Sequence, residues 1–249
     1  MSLDSIYQRQ NETVTDLSRN FDYEFADVFE KINSLASYYL KGLSESDILR
    51  YDLIWSQILE QAGYYKLVAE YVDISFDDVY DDVLVAFDSV GLTTAFTEAD
   101  LIKINTLKSM HKDFFVKLGN DVGLTVKKQL YNYTLANASL EQIASNIRAD
   151  IENTGLAKYS TTYARTAITN YQQEVINIRS ADEDGVWVYV GVDDGKTRPF
   201  CHNLLKQRKY YTTQQKNRLE RDEDREFNCR HRFYLVSKEW AEDENYEKY

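Results

Sequence analysis

The segment "RPFCHNLLKQRKYYTTQQKNRLERDEDREFNCRHRF", residues 198–233, holds both cysteines of the 249-residue chain, two of its three histidines and its one proline. These residue types bind metal ions or act as nucleophiles. Cys229 and His231 stand two apart, so in an extended segment both side chains leave the same face and can grip one ion. Cys201 and His202 are neighbours, a poor chelate because adjacent side chains point apart. Cys201, Cys229 and His231 are thus three comfortable ligands for a structural zinc. The fourth position is open to His202, to Asp193 or Asp194, or to water. Water in that position beside an acid is what a hydrolytic zinc site needs. The competing reading is two buried thiols serving as small apolar residues, with the histidines bonded to backbone.

Other catalytic signatures are missing. The sequence has no GxSxG, HExxH, P-loop or GxGxxG pattern. The "GKT" at 195–197 lacks the upstream glycine of a Walker motif. A cysteine–histidine nucleophile drawn from Cys201 or Cys229 has no orienting third group at a recognisable spacing.

Charge is distributed unevenly. Residues 1–100 carry 20 acidic and 6 basic side chains, whereas residues 196–232 carry 11 basic and 5 acidic ones, within a total of −12. An acidic chain is a poor nonspecific DNA binder, because phosphate affinity comes from cations. The basic segment, with Arg208, Lys209, Arg218 and Arg221, is the candidate contact for an anionic partner, against the plainer reading of a solvated basic face. No run of eighteen apolar residues occurs, which excludes a hydrophobic membrane helix from the expectation. The start "MSLDSIYQRQNETVTDL" lacks the pattern of a signal peptide. The expectation is a reducing cytoplasm, where a Cys201–Cys229 disulfide is disfavoured.

The elements that must position these residues are mostly helical. One proline and nine glycines leave few breakers. Apolar residues from Leu17 to Leu43 recur at helical spacing. A helix with a capped start near Ser44 or Ser46 stops near Gly63, and another stops at Gly91. In the latter, Asp77, Asp78, Asp81 and Asp82 follow a helical rhythm rather than the alternation of a calcium loop, and read as a solvated acidic face. A long helix runs from Thr97 to about Tyr133, with a break near Gly119 or Gly123, and carries His111 exposed. A further helix, capped by Asn137 or Ser139, ends at Gly155, and one more reaches Asp182–Gly185. Then the texture changes. "VWVYVGV" (186–192), "KYYTT" and "HRFYLVS" read as strands, with a short helix near Phe200–Leu205 and a peripheral acidic tail. The expected fold is mainly α with a small α+β C-terminal domain: long helices, then a short antiparallel sheet. A boundary near residue 135 divides a helical region (1–135) from the small domain (136–249).

Residues 139–236 resemble the C-terminal domain of the phage Mu protein F-like minor head proteins, the phage head morphogenesis family. The helix supplies "YARTAITNYQQE" with Ala164, Arg165 and Thr166, and the strand "VWVYV" supplies Trp187. "DDGKTRPFC" supplies Asp194, Lys196, Thr197 and Cys201, and "FNCRHRF" supplies Asn228, Cys229, Arg230 and His231. Four elements match in order and spacing. The chain departs from family members with a full metal set at two places: Arg198 replaces the first cysteine of T-C-x-x-C, and Glu226 replaces a histidine three residues before Cys229. The resemblance implies a non-enzymatic virion protein of a tailed phage, inside the head near the portal vertex. Its implied partners are the portal protein, the inner capsid surface and packaged DNA, with roles in head assembly, DNA packaging or DNA delivery. The same domain also occurs fused to toxin modules, so a toxin-related enzyme and an interaction module of other use are the alternatives.

Overall fold

Long stretches free of breakers become long helices. In the computed structural model, residues 3–41, 50–92, 94–136, 138–180, 185–222 and 231–249 are described. The helices are α1 (Leu3–Leu40), α2 (Tyr51–Ala62), α3 (Tyr64–Ser89), α4 (Glu98–Leu135), α5 (Leu140–Glu152) and α6 (Gly155–Ser180). A smaller set follows: β1 (Gly185–Val190), α7 (Pro199–Gln207), β2 (Lys209–Tyr211), α8 (Thr213–Asp222), β3 (Arg232–Ser237), α9 (Lys238–Asp243) and β4 (Glu247–Lys248). The mainly α fold with a small sheet near the C-terminus agrees with the sequence reading.

The chain divides into two compact units. One takes Met1–Asp16, Ser75–Leu107 and Arg165–Tyr249; the other takes Leu17–Ile74 and Lys108–Ala164. Helices α1, α3, α4 and α6 each supply residues to both units. The limits of the units lie inside these helices, and residue 135 is the last residue of α4.

The second unit has an aromatic core. The Phe21 ring lies 4.4 Å from Tyr71 and 5.3 Å from Phe115, centroid to centroid, distances at which tilted rings attract. Around it, three aromatic side chains reach the backbone of α4. Tyr64 donates to Phe115 O at 2.6 Å, Trp55 Nε1 to Gly119 O at 3.0 Å, and Tyr51 to Gly123 O at 2.8 Å. Gly119 and Gly123 do not break α4, contrary to the expectation. They lie at i and i+4 on one face, and their missing Cβ atoms let the rings approach: a Cβ would lie 2.5 Å from Tyr64 at Gly119 and 2.3 Å from Trp55 at Gly123. Burial pushes the Tyr51, Tyr64 and Tyr71 hydroxyls far above the usual phenol range. His111, expected exposed, is half buried, and burial pulls its pKa down.

Helix α2 ends at Gly63 with φ 83°, the left-handed conformation that glycine adopts at a helix stop. The expected caps at Ser44 and Ser46 lie outside the described residues. Ser139, one of two expected caps for α5, forms a capping box with Gln142; Asn137 lies outside the described residues. α5 ends at Glu152 with Asn153 as its cap, and Gly155 opens the next helix instead of closing this one.

The first unit carries the sheet, in the order β3-β1-β2-β4. β1 pairs antiparallel with β3 (Val188 opposite Tyr234) and with β2 (Trp187 opposite Tyr211), while β2 and β4 run parallel. The sheet is therefore mixed rather than purely antiparallel, because the expected peripheral tail folds back as α9 and a fourth strand. Val186 to Val190 are buried without alternation, the pattern of a strand covered on both faces. Phe76 stacks on Tyr171 at 4.3 Å, and Gln10 donates to the Tyr234 hydroxyl at 2.7 Å. The acidic face of α3 is solvated at Asp77, Asp78 and Asp81 but not at Asp82. Asp82 is buried, paired with Arg9 at 2.9 Å and accepting from Thr13 at 2.7 Å.

Candidate functional site

Trp187, Asp193, Asp194, Thr197, Cys201, His202 and His231 fall in the first unit, on and around β1. In "DDGKT" the side chains close on their own backbone. Asp194 Oδ1 accepts from the Lys196 amide at 2.9 Å, Thr197 Oγ1 donates to Val192 O at 2.8 Å, and the Asp194 amide donates to Thr197 Oγ1 at 2.9 Å. This is turn chemistry, and it delivers the chain to Pro199, the first residue of α7, where a missing amide hydrogen costs nothing.

α7 places Cys201 inward and His202 at the rim. Cys201 Sγ is buried and accepts from the Tyr189 hydroxyl at 3.2 Å. His202 Nδ1 lies 2.6 Å from Asp193 Oδ1, a half-exposed pair in which the ring N–H donates to the carboxyl group. His231 Nε2 donates to Val192 O at 2.8 Å, and its ring stacks at 6.2 Å on Tyr189, the same residue that bonds Cys201. Gly191 makes room for that ring: a Cβ there would lie 2.1 Å from His231 Cδ2.

Two of the three expected zinc ligands, Cys201 and His231, thus pack on one tyrosine. Cys229 lies outside the described residues. Among the described residues no three of His, Cys, Asp or Glu gather as metal ligands. His202, the candidate fourth ligand, faces Asp193. An anchored Nε2–H is also how a metal-binding histidine is oriented through its other nitrogen, so Cys201 and His231 suit either a packed core or part of a zinc set.

Trp187 is fully buried. Its indole N–H donates to Thr213 Oγ1 at 3.1 Å, and Lys216 Nζ sits 4.3 Å from its ring centroid. Lys216 is itself buried, bonded to Asn177 Oδ1 at 3.0 Å and paired with Glu220 at 3.1 Å. Sequence reasoning missed this cluster. Its one signal was the turn of helix that puts Lys216 and Glu220 four apart.

Two of the four basic candidates, Arg208 and Lys209, engage the C-terminal tail. Arg208 caps α7 at φ 44°, donates to Glu244 O at 2.9 Å and lies 4.9 Å over the Tyr246 ring. Lys209 lies 5.1 Å over Tyr249. Arg218 is exposed on α8, and the side chain of Arg221 lies outside the described residues. The arginine of "ART", Arg165, donates to Asn11 Oδ1 at 3.0 Å. Arg232 is buried and donates to Gln172 Oε1. No described helix is long and apolar enough to cross a membrane. No family model matches the chain, and no curated protein or solved structure matches it either.

Proposed function

We propose that this chain is a minor head protein of a tailed bacteriophage, bound at the portal vertex or the inner capsid surface, where it assists head assembly, DNA packaging or DNA delivery. The reading rests on the fingerprint of four elements in fixed order. The observation that carries it is what those residues do: Asp194 and Thr197 close a turn, Trp187 is locked by Thr213 and Lys216, and Cys201 and His231 pack on Tyr189. A motif spent on building a frame fits a structural protein better than an enzyme. Exposed apolar side chains on the long helices, among them Ile102 and Met110, offer contact points to a larger protein assembly. In this reading the basic quartet Arg208, Lys209, Arg218 and Arg221 meets packaged DNA or an acidic surface of the particle.

Co-expression with the portal protein of the same phage tests the reading. The expected result is a complex that co-sediments with the portal ring at defined stoichiometry. Separate sedimentation from both portal and capsid shells would overturn it.

A further inference from the structure

Within the second unit, α4 turns one face to the core and the opposite face to solvent. The core face carries Phe115, Gly119, Val122 and Val126, all buried and spaced as one stripe of a helix. A polar surface is expected on the other side. Large apolar side chains recur there instead: Met110, Phe114, Leu124 and Tyr131 are each 40–61% exposed.

Their spacing is that of a coiled-coil seam. Phe114, Asp121 and Lys128 stand seven residues apart, as do Met110, Lys117, Leu124 and Tyr131. The two series interleave at steps of three and four, and every member is exposed. The order of these residues has a second property. Counted outward from Gly119, Lys117 mirrors Asp121 and Phe114 mirrors Leu124. Met110 mirrors Lys128, whose aliphatic stem can cover a thioether. The seam is therefore complementary to its own reverse.

Turned end over end on a second copy, the seam sets Lys117 against Asp121 twice and Phe114 against Leu124 twice. A parallel pairing would stack Lys117 on Lys117 and Asp121 on Asp121, which like-charge repulsion opposes. Charged residues inside a seam lower its stability but fix its register. We propose that α4 pairs antiparallel with α4 of a second copy of this chain over Met110–Tyr131, forming a two-fold dimer. The inference does not depend on the head-protein reading, because it concerns the isolated full chain.

Sedimentation equilibrium of the full chain tests it. Wild type is expected to dimerise with a dissociation constant in the micromolar range. K117E and D121K each bring like charges together at the centre of the seam, and each should weaken the dimer roughly tenfold or more. The double variant K117E/D121K restores both antiparallel pairs and should dimerise like wild type, whereas in a parallel dimer it would restore nothing. Both positions lie on the solvent face, and far-UV circular dichroism checks that the helices are kept. As a second measurement, an equimolar mixture of K117E and D121K should form a heterodimer tighter than either variant's own dimer. A monomer at the highest soluble concentration would overturn the proposal and leave the seam to a different protein. A dimer indifferent to both single variants, or a folded double variant that does not regain pairing, would overturn it as well.

Discussion

The Trp55 indole passes over Gly123, where a Cβ would lie 2.3 Å from its Cδ1, and donates its N–H to the carbonyl of Gly119 at 3.0 Å. The indole position depends on a side chain that is not there. In a solvated helix Gly→Ala stabilises by about 0.8–1 kcal/mol, so the sign of the effect is diagnostic. Gly123→Ala should instead destabilise by about 1–3 kcal/mol, the range for overpacking a core, as read by urea unfolding. A stabilised G123A would show that the indole does not cross this helix face.

The lysine under Trp187 makes the same kind of commitment with charge. Lys216→Ala would leave Glu220 and Asn177 without their cation and open one face of the indole. The expected loss is about 2–4 kcal/mol, at or slightly below the usual cost of breaking a buried pair because Glu220 is partly exposed. Lys216→Met, which keeps the stem that covers the ring, should cost less. Equal losses in the two variants would mean that the stem adds nothing and that the ammonium group alone accounts for the effect.

Asp100 ties the start of α4 to pH. Its carboxyl accepts from the Thr97 hydroxyl at 2.6 Å and pairs with Lys103 at 3.1 Å, and these contacts, the Thr97 bond foremost, hold its pKa below 3.8. A carboxyl depressed in the folded state binds fewer protons than in the unfolded one, so stability rises with pH across that window. The contribution is fully present above 3.8 and is lost as the pH falls through the lower folded value. Asp100→Asn should therefore lower Tm at neutral pH, and its gap to wild type should narrow in acid. A gap independent of pH would remove the carboxylate from the account.

Much of the frame was legible because it follows from local chemistry. The breaker-poor helices, the Gly63 stop, the Ser139 cap and the strands at Trp187 and Phe233 are each signalled within a few residues. Non-local geometry was not legible. Nothing near Gly119 and Gly123 in the sequence says that Trp55 and Tyr64 will need their space, so the glycines read as a break. Asp82 looked like its neighbours Asp78 and Asp81, and only Arg9, from the far end of the sequence, makes it a buried pair. The tail looked peripheral because a two-residue strand has no periodicity to detect.

If the basic quartet meets packaged DNA or an acidic surface, its effect must be electrostatic. Replacing Arg208, Lys209, Arg218 and Arg221 with glutamine should weaken association of the chain with particles or DNA and flatten its dependence on salt. Sedimentation at several salt concentrations measures both. Unchanged association would leave Arg208 and Lys209 as partners of the tail aromatics alone.

The proposed place of the chain in the phage head can be read directly from particle composition. Quantitative mass spectrometry of purified procapsids and mature virions, counting this chain against the portal and major capsid proteins, tests it most directly. The account predicts a few to about a dozen copies per particle, the number that one symmetric vertex ring can bind. Absence from both procapsids and virions would contradict it.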